Sequence, residues 1–138
     1  MPSEATPALA AVLSTGDPER LYSGLSVLVS TAAGGPPCAA LASFGALGLL
    51  LDPDLLRRVQ EPEATPSLAW AGRETFARSL VELVDTALEL DSLTVQACSA
   101  SVETMAIDAA DIEARGLDGV ISTPRFLHHT AGARLIFV

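Results

Sequence analysis

The sequence predicts an α/β fold, a single domain over residues 1–138 built on a five-stranded, mainly parallel sheet with helices on both faces, in a Rossmann-like three-layer arrangement. Three observations predict it. Short apolar runs alternate with helix signals along the whole chain. The runs are continuous in apolar character, as parallel strands covered on both faces are. The helix starts and stops are punctuated by Asp-Pro, Ser/Thr-Pro and Gly.

Residues Ala8 to Leu13 are small and apolar and make a first strand, and Ser14-Thr15-Gly16 a turn. Asp17-Pro18-Glu19 opens a helix with an N-cap, a first-position proline and a first-turn acid; it runs to about Ala33 and stops at Gly34-Gly35. Its apolar positions Leu21, Leu25, Val27, Leu28, Val29 and Ala32 spread beyond one stripe, which predicts cover on more than one side and hence a second subunit. Cys38 to Phe44 is the second strand, and Gly45 to Leu51 a short helix or turn ending at Asp52-Pro53. A long loop follows at about 57–73, rich in Pro and Glu, with Trp70 as the anchor that tethers it near the strand ends.

Glu74 to Leu90 has the clearest amphipathic spacing, with Phe76, Leu80, Leu83, Val84, Ala87 and Leu88 on one face. Leu93 to Ala97 is a third buried strand, ended by Cys98, and Ser99 to Ala106 a helical turn. Asp108 caps a helix, with Asp111 resembling a capping box, and Gly116 ends it. Gly119 to Ile121 is a short fourth strand. Ser122 or Thr123 caps the next helix, and Arg134 to Val138 is the fifth strand.

Composition narrows the function. Asp and Glu outnumber Lys and Arg 17 to 8, a net charge of −9. Such a chain lacks the basic footprint that nucleic acid or an anionic membrane surface requires, so neither is an expected partner. Hydrophobic residues reach 49% and the mean hydropathy is +0.40, an excess that predicts burial in an interface. The uncharged stretch from Leu21 to Leu51 is interrupted by Gly34-Gly35-Pro36-Pro37, which ends a helix and argues against a membrane span. Met1-Pro-Ser-Glu-Ala-Thr-Pro7 lacks the basic start of a signal peptide. Two cysteines outside any CxxC pair fit a reduced cytoplasmic setting.

Ligands of parallel α/β sheets gather outside the carboxyl ends of the strands. That edge is expected to hold Ser14, Thr15, Gly16, Phe44, Gly45, Cys98, Ser99, Ser101, Ser122 and Thr123. Cys98 is the only strong nucleophile among them, placed at a helix N-terminus where unpaired N–H groups favour a thiolate. The helix end contributes about 0.3–1 kcal/mol, up to about 2 when partly buried, which lowers a thiol pKa by roughly 0.2–1.5 units. Cys38 starts its strand and is structural. His128 and His129 are adjacent and point apart, so no metal site is expected, nor any cofactor.

Four stretches in this order resemble the DsrE/DsrF-like family of sulfur-relay and related proteins. They are Thr15-Gly-Asp-Pro-Glu-Arg-Leu-Tyr22, Ala40-Leu-Ala-Ser-Phe-Gly45, Val95-Gln-Ala-Cys-Ser-Ala-Ser101 with Met105-Ala-Ile107, and Leu135-Ile-Phe-Val138. The resemblance implies a DsrE-like fold and a homotrimer or hexamer. It also implies that Cys98 corresponds to the cysteine that carries a persulfide, with a sulfur-donor or acceptor protein as partner. Met105-Ala106 stand where the relay proteins have an arginine-glycine pair, which places the chain nearer the uncharacterised branch. The expected function is acceptance or carriage of sulfane sulfur on Cys98. The alternative is a non-enzymatic homo-oligomeric subunit with an inert cysteine and a small-molecule crevice at the strand ends.

Overall fold

The computed structural model describes residues 6–138, so the segment Met1–Ala5, which carries most of the leader argument, lies outside the described residues. Five strands, β1 (Leu9–Leu13), β2 (Cys38–Ala42), β3 (Leu93–Cys98), β4 (Val120–Ile121) and β5 (Arg134–Phe137), form one sheet in the order β4-β3-β2-β1-β5. Every pairing is parallel. Seven helices connect them: α1 (Pro18–Ala33), α2 (Phe44–Leu51), α3 (Leu55–Val59), α4 (Trp70–Glu89), α5 (Ser99–Thr104), α6 (Ala109–Arg115) and α7 (Thr123–His129). The α/β class and the Rossmann-like layering follow directly.

Topology dictates which helix covers which face. The chain steps from β1 to β4 in one direction, so right-handed crossovers put α1 to α6 on one face. It then returns past β1 to β5, and the same rule puts α7 on the other face. The packing agrees. Leu9, Ala11, Leu13, Ala40, Val95 and Ala97 share a core with residues of α1, α2, α3, α4 and α6. Ala10, Ala39, Leu41, Cys98 and Ile121 meet only Phe126 of α7 among the buried helix residues.

The two layers are therefore very unequal. Phe126 is the one buried residue of α7. On this thin side β3 exposes Thr94 and half-exposes Gln96, so it is not buried on both faces as its sequence suggests. Leu135 and Phe137 follow the register of Ala10 and Val12 and lie on the same side, and Phe137 is 75% exposed.

Three expectations change. In α1, Leu21, Leu25, Leu28 and Ala32 are buried with Gly24, a single stripe at i, i+3, i+4 and i+7 spacing. Val27 is exposed, and Ser23 and Ser30 are exposed beside it. The apolar surplus of α1 is thus spent inside the protomer, and the exposed large apolar side chains sit mainly elsewhere. The loop at about 57–73 shrinks to residues 60–69, because α3 reaches Val59 and α4 starts four residues before Glu74. The N-cap of α4 is Ala69, which makes no side-chain cap bond, so the sequence carries no start signal there. Trp70 is 78% exposed and anchors nothing. The segment is tied down by Thr65, fully buried, whose Oγ1 donates to Val59 O at 3.5 Å and whose carbonyl accepts from Arg73 Nε at 3.3 Å. Ser67 adds a 2.8 Å bond to Glu19.

Among the described residues, no helix is long and apolar enough to cross a membrane.

Candidate functional site at the β3–β4 crevice

Adjacent strands whose outgoing loops go to opposite faces open a crevice between them. β3 and β4 are such a pair: β3 leads into α5 on the thick side, β4 into α7 on the thin side. Cys98 is the last residue of β3, pairs with Ile121, and stands at this crevice. It is the N-cap of α5, with extended backbone and no side-chain cap bond. Its Sγ lies 3.9 Å from Thr123 Oγ1, at the start of α7.

Burial pushes the Cys98 thiol up. Neighbouring donors outweigh it: the Ser101 N–H and hydroxyl, the Thr123 hydroxyl and the Ala100 N–H all favour the thiolate, and the net shift is downward. Ser101 is fully buried, and its Oγ accepts from Phe44 N–H at 2.9 Å. Cys38 is the opposite case. It sits at the amino end of β2, beside Leu9 and Leu93, and burial raises its thiol despite a backbone bond from Leu9. Both cysteines are free and buried.

Phe44 earns its place through its backbone. It has φ +41, an unfavourable conformation for a bulky residue. The turn it makes aims its N–H at Ser101 while its ring stays half exposed. Gly45 follows for a steric reason: a Cβ there would stand 2.6 Å from both Cα and N of Gly16. The ends of β1 and β2 touch backbone to backbone. Gly45→Ala is therefore expected to cost at least about 1–3 kcal/mol, the usual penalty of overpacking, seen as a lower midpoint in urea unfolding. A midpoint equal to wild type would show that the two turns can separate.

The predicted site residues divide into two groups. Cys98 with Thr123 and Phe44 with Ser101 form two hydrogen-bonded pairs at the two ends of one turn of α5, and Ser99, half-buried, opens that helix. Ser122 is spent as the N-cap of α7, accepting from Arg125 N at 3.3 Å. Ser14 and Thr15 lie beyond β2, where Ser14 Oγ donates to Val138 O and Thr15 Oγ1 accepts from Asp17 N. Gly16 joins Gly45 and lines two adjoining clefts of about 620 and 530 Å³ on the thick side, which share Leu49 and Arg58. Arg58 is paired with Asp52 there. Sequence reasoning missed Phe126, which shares a small buried cluster with Cys98, and the Thr94/Gln96 pair on the same face of β3. Among the described residues no three of His, Cys, Asp and Glu are grouped to hold a metal ion.

No protein-family model matches the chain. No curated protein matches it either.

Proposed function

We propose that this protein accepts sulfane sulfur on Cys98 and holds it as a persulfide. The observation that carries the reading is the placement of the two thiols: Cys98 ends β3 at the crevice, as the N-cap of α5 with Sγ 3.9 Å from the Thr123 hydroxyl, and its thiol is lowered, whereas Cys38 sits at the amino end of β2 and burial raises it. The thiolate is the nucleophile, so the contrast selects one sulfur for chemistry. Among the described residues no Lys, Arg or His is a cause of the lowered thiol, which suits slow exchange with a sulfur donor better than fast hydrolytic attack. With no second cysteine in reach, a persulfide there cannot be resolved within the chain.

The DsrE/DsrF-like resemblance of the four sequence stretches supports this reading. Ala106 adds to it. Its φ is +53, a conformation that glycine adopts freely, and it stands where the relay proteins have the glycine of their arginine-glycine pair. Assembly into a homotrimer or hexamer and a cytoplasmic setting belong to the same proposal. The apolar surface for assembly is then Leu135 and Phe137 on the thin side of the sheet rather than α1.

A second reading, an inert cysteine in an oligomeric binding subunit, is favoured by one observation: Cys98 is only 4% exposed. Incubation with a persulfide donor separates the two. The proposal expects a gain of one sulfur atom in intact mass, localised by peptide mapping to Cys98 and absent in Cys98→Ser. Mass gained on Cys38 instead, or on neither cysteine while both still alkylate, would overturn it.

A further inference from the structure

A groove of about 510 Å³ runs along the thin face of the sheet, between β3 and the far end of α7. Thr94 and Gln96 form its floor, Phe126, His128 and His129 its helix wall. Phe126 also belongs to the small core that encloses Cys98. Gln96 and Cys98 are two residues apart on one strand and therefore on one face, about 6.6 Å along it. So Phe126 belongs both to the groove wall and to the buried cluster that contains the thiol.

The lining has a second property. The protein carries a net charge of −9, and the other four clefts described each include at least one carboxylate. This groove includes none; its polar groups are hydroxyls, the Gln96 amide and two imidazoles. In a strongly acidic molecule it is the cleft where a small anion meets hydrogen-bond donors without meeting a like charge.

We infer that this groove is the substrate site for Cys98, and that it takes a small anionic persulfide, with Phe126 the gate between groove and sulfur. The inference rests on the persulfide reading of Cys98 and names its substrate class. The Cys98 thiolate attacks the outer sulfur of the donor persulfide. A new S–S bond forms on Cys98 as the donor's own S–S bond breaks. The donor leaves as its thiolate, and the transferred sulfur keeps its proton. No external oxidant or reductant enters the balance.

Glutathione persulfide serves as the probe, with iodoacetamide and anionic iodoacetate as alkylators. Gln96→Trp fills the groove from its half-exposed floor; Thr94→Trp, at an exposed position, does the same if the first variant folds poorly. Ser67→Trp fills the cleft on the opposite side of the sheet and is the control. The groove-filling variants are expected to slow sulfur uptake and iodoacetamide labelling of Cys98 roughly tenfold or more, the scale on which a misplaced approach acts. The control leaves both rates unchanged. His128→Glu with His129→Glu is expected to slow iodoacetate more than iodoacetamide. Wild-type rates in a folded groove-filling variant, or equal slowing by Ser67→Trp, would overturn the inference. If wild-type Cys98 alkylates but takes no sulfur, the persulfide reading fails, and the alkylation rates still decide whether the groove is the route.

Discussion

Ser101→Ala is expected to raise the pH at which Cys98 reaches half its maximal alkylation rate. The direction follows from the donors near the sulfur: the buried Ser101, one turn into α5, is among the groups that lower the thiol, and its hydroxyl favours the anion over the neutral form. Removing the hydroxyl leaves burial as the largest influence, and burial favours the neutral form. Alkylation requires the thiolate, so the profile moves to higher pH. Cys38 in the same tube is the internal reference. It reacts at higher pH than Cys98 in wild type, and Ser101→Ala leaves it where it was. The substitution also strands the Phe44 N–H, so a modest loss of stability accompanies the shift. An unmoved Cys98 profile would show that the backbone N–H groups of α5 suffice, and that Ser101 serves only to hold Phe44.

How much of this arrangement could be read from the residues differs by element. The strands and most helices were legible because their signals are local. Asp17 caps α1 by accepting from Glu19 N, and Asp108 caps α6 by accepting from Ala110 N. Gly116 ends α6 at φ +100, where glycine is free to go. The position of Cys98 was legible for the same reason: an apolar run ends, small residues follow, and a parallel strand must lead into a helix. α4 was misjudged at its start because Trp70-Ala-Gly-Arg73 has neither cap nor periodicity, and the helix is held there by packing further along. Trp70 was misjudged because a lone aromatic in a polar stretch looks like an anchor, while the residue that ties the segment down is a threonine.

The covering layers were the least legible feature. A crossover helix is predicted by the connection it makes, not by the area it covers. Nothing local states that α7, with seven residues, is left alone on its side of the sheet among the described elements. One signal was present. Thr94 and Gln96 alternate with Leu93, Val95 and Ala97, and a strand with a polar period of two has an open face. That alternation, taken with the register between β2 and β3, places the open face on the side of Cys98. The α1 stripe was also available: counting by helical spacing gathers its leucines on one side, where counting its apolar residues does not.

Phe126→Ala carries the largest expected effect, and it acts on stability and reactivity together. Phe126 is 1% exposed and is the single buried side chain of α7. Truncating a buried phenylalanine costs about 3–5 kcal/mol, a large share of the roughly 5–15 kcal/mol that holds a domain together. The melting temperature is expected to fall by on the order of 10–20 °C. The decisive measurement is made well below that melt, where the variant remains folded. α7 then keeps its Ser122 cap and loses its anchor, so the helix lifts locally and Cys98 labels faster by orders of magnitude. Cys38 lies at the amino edge under the thick layer, with Leu9 and Leu93 as neighbours, and its rate stays near that of wild type. Phe126→Leu keeps most of the apolar contact and gives an intermediate rate. Equal acceleration of both cysteines would mean that the whole domain had loosened. In that outcome Phe126 is an ordinary core residue, and Cys98 has no local gate of its own.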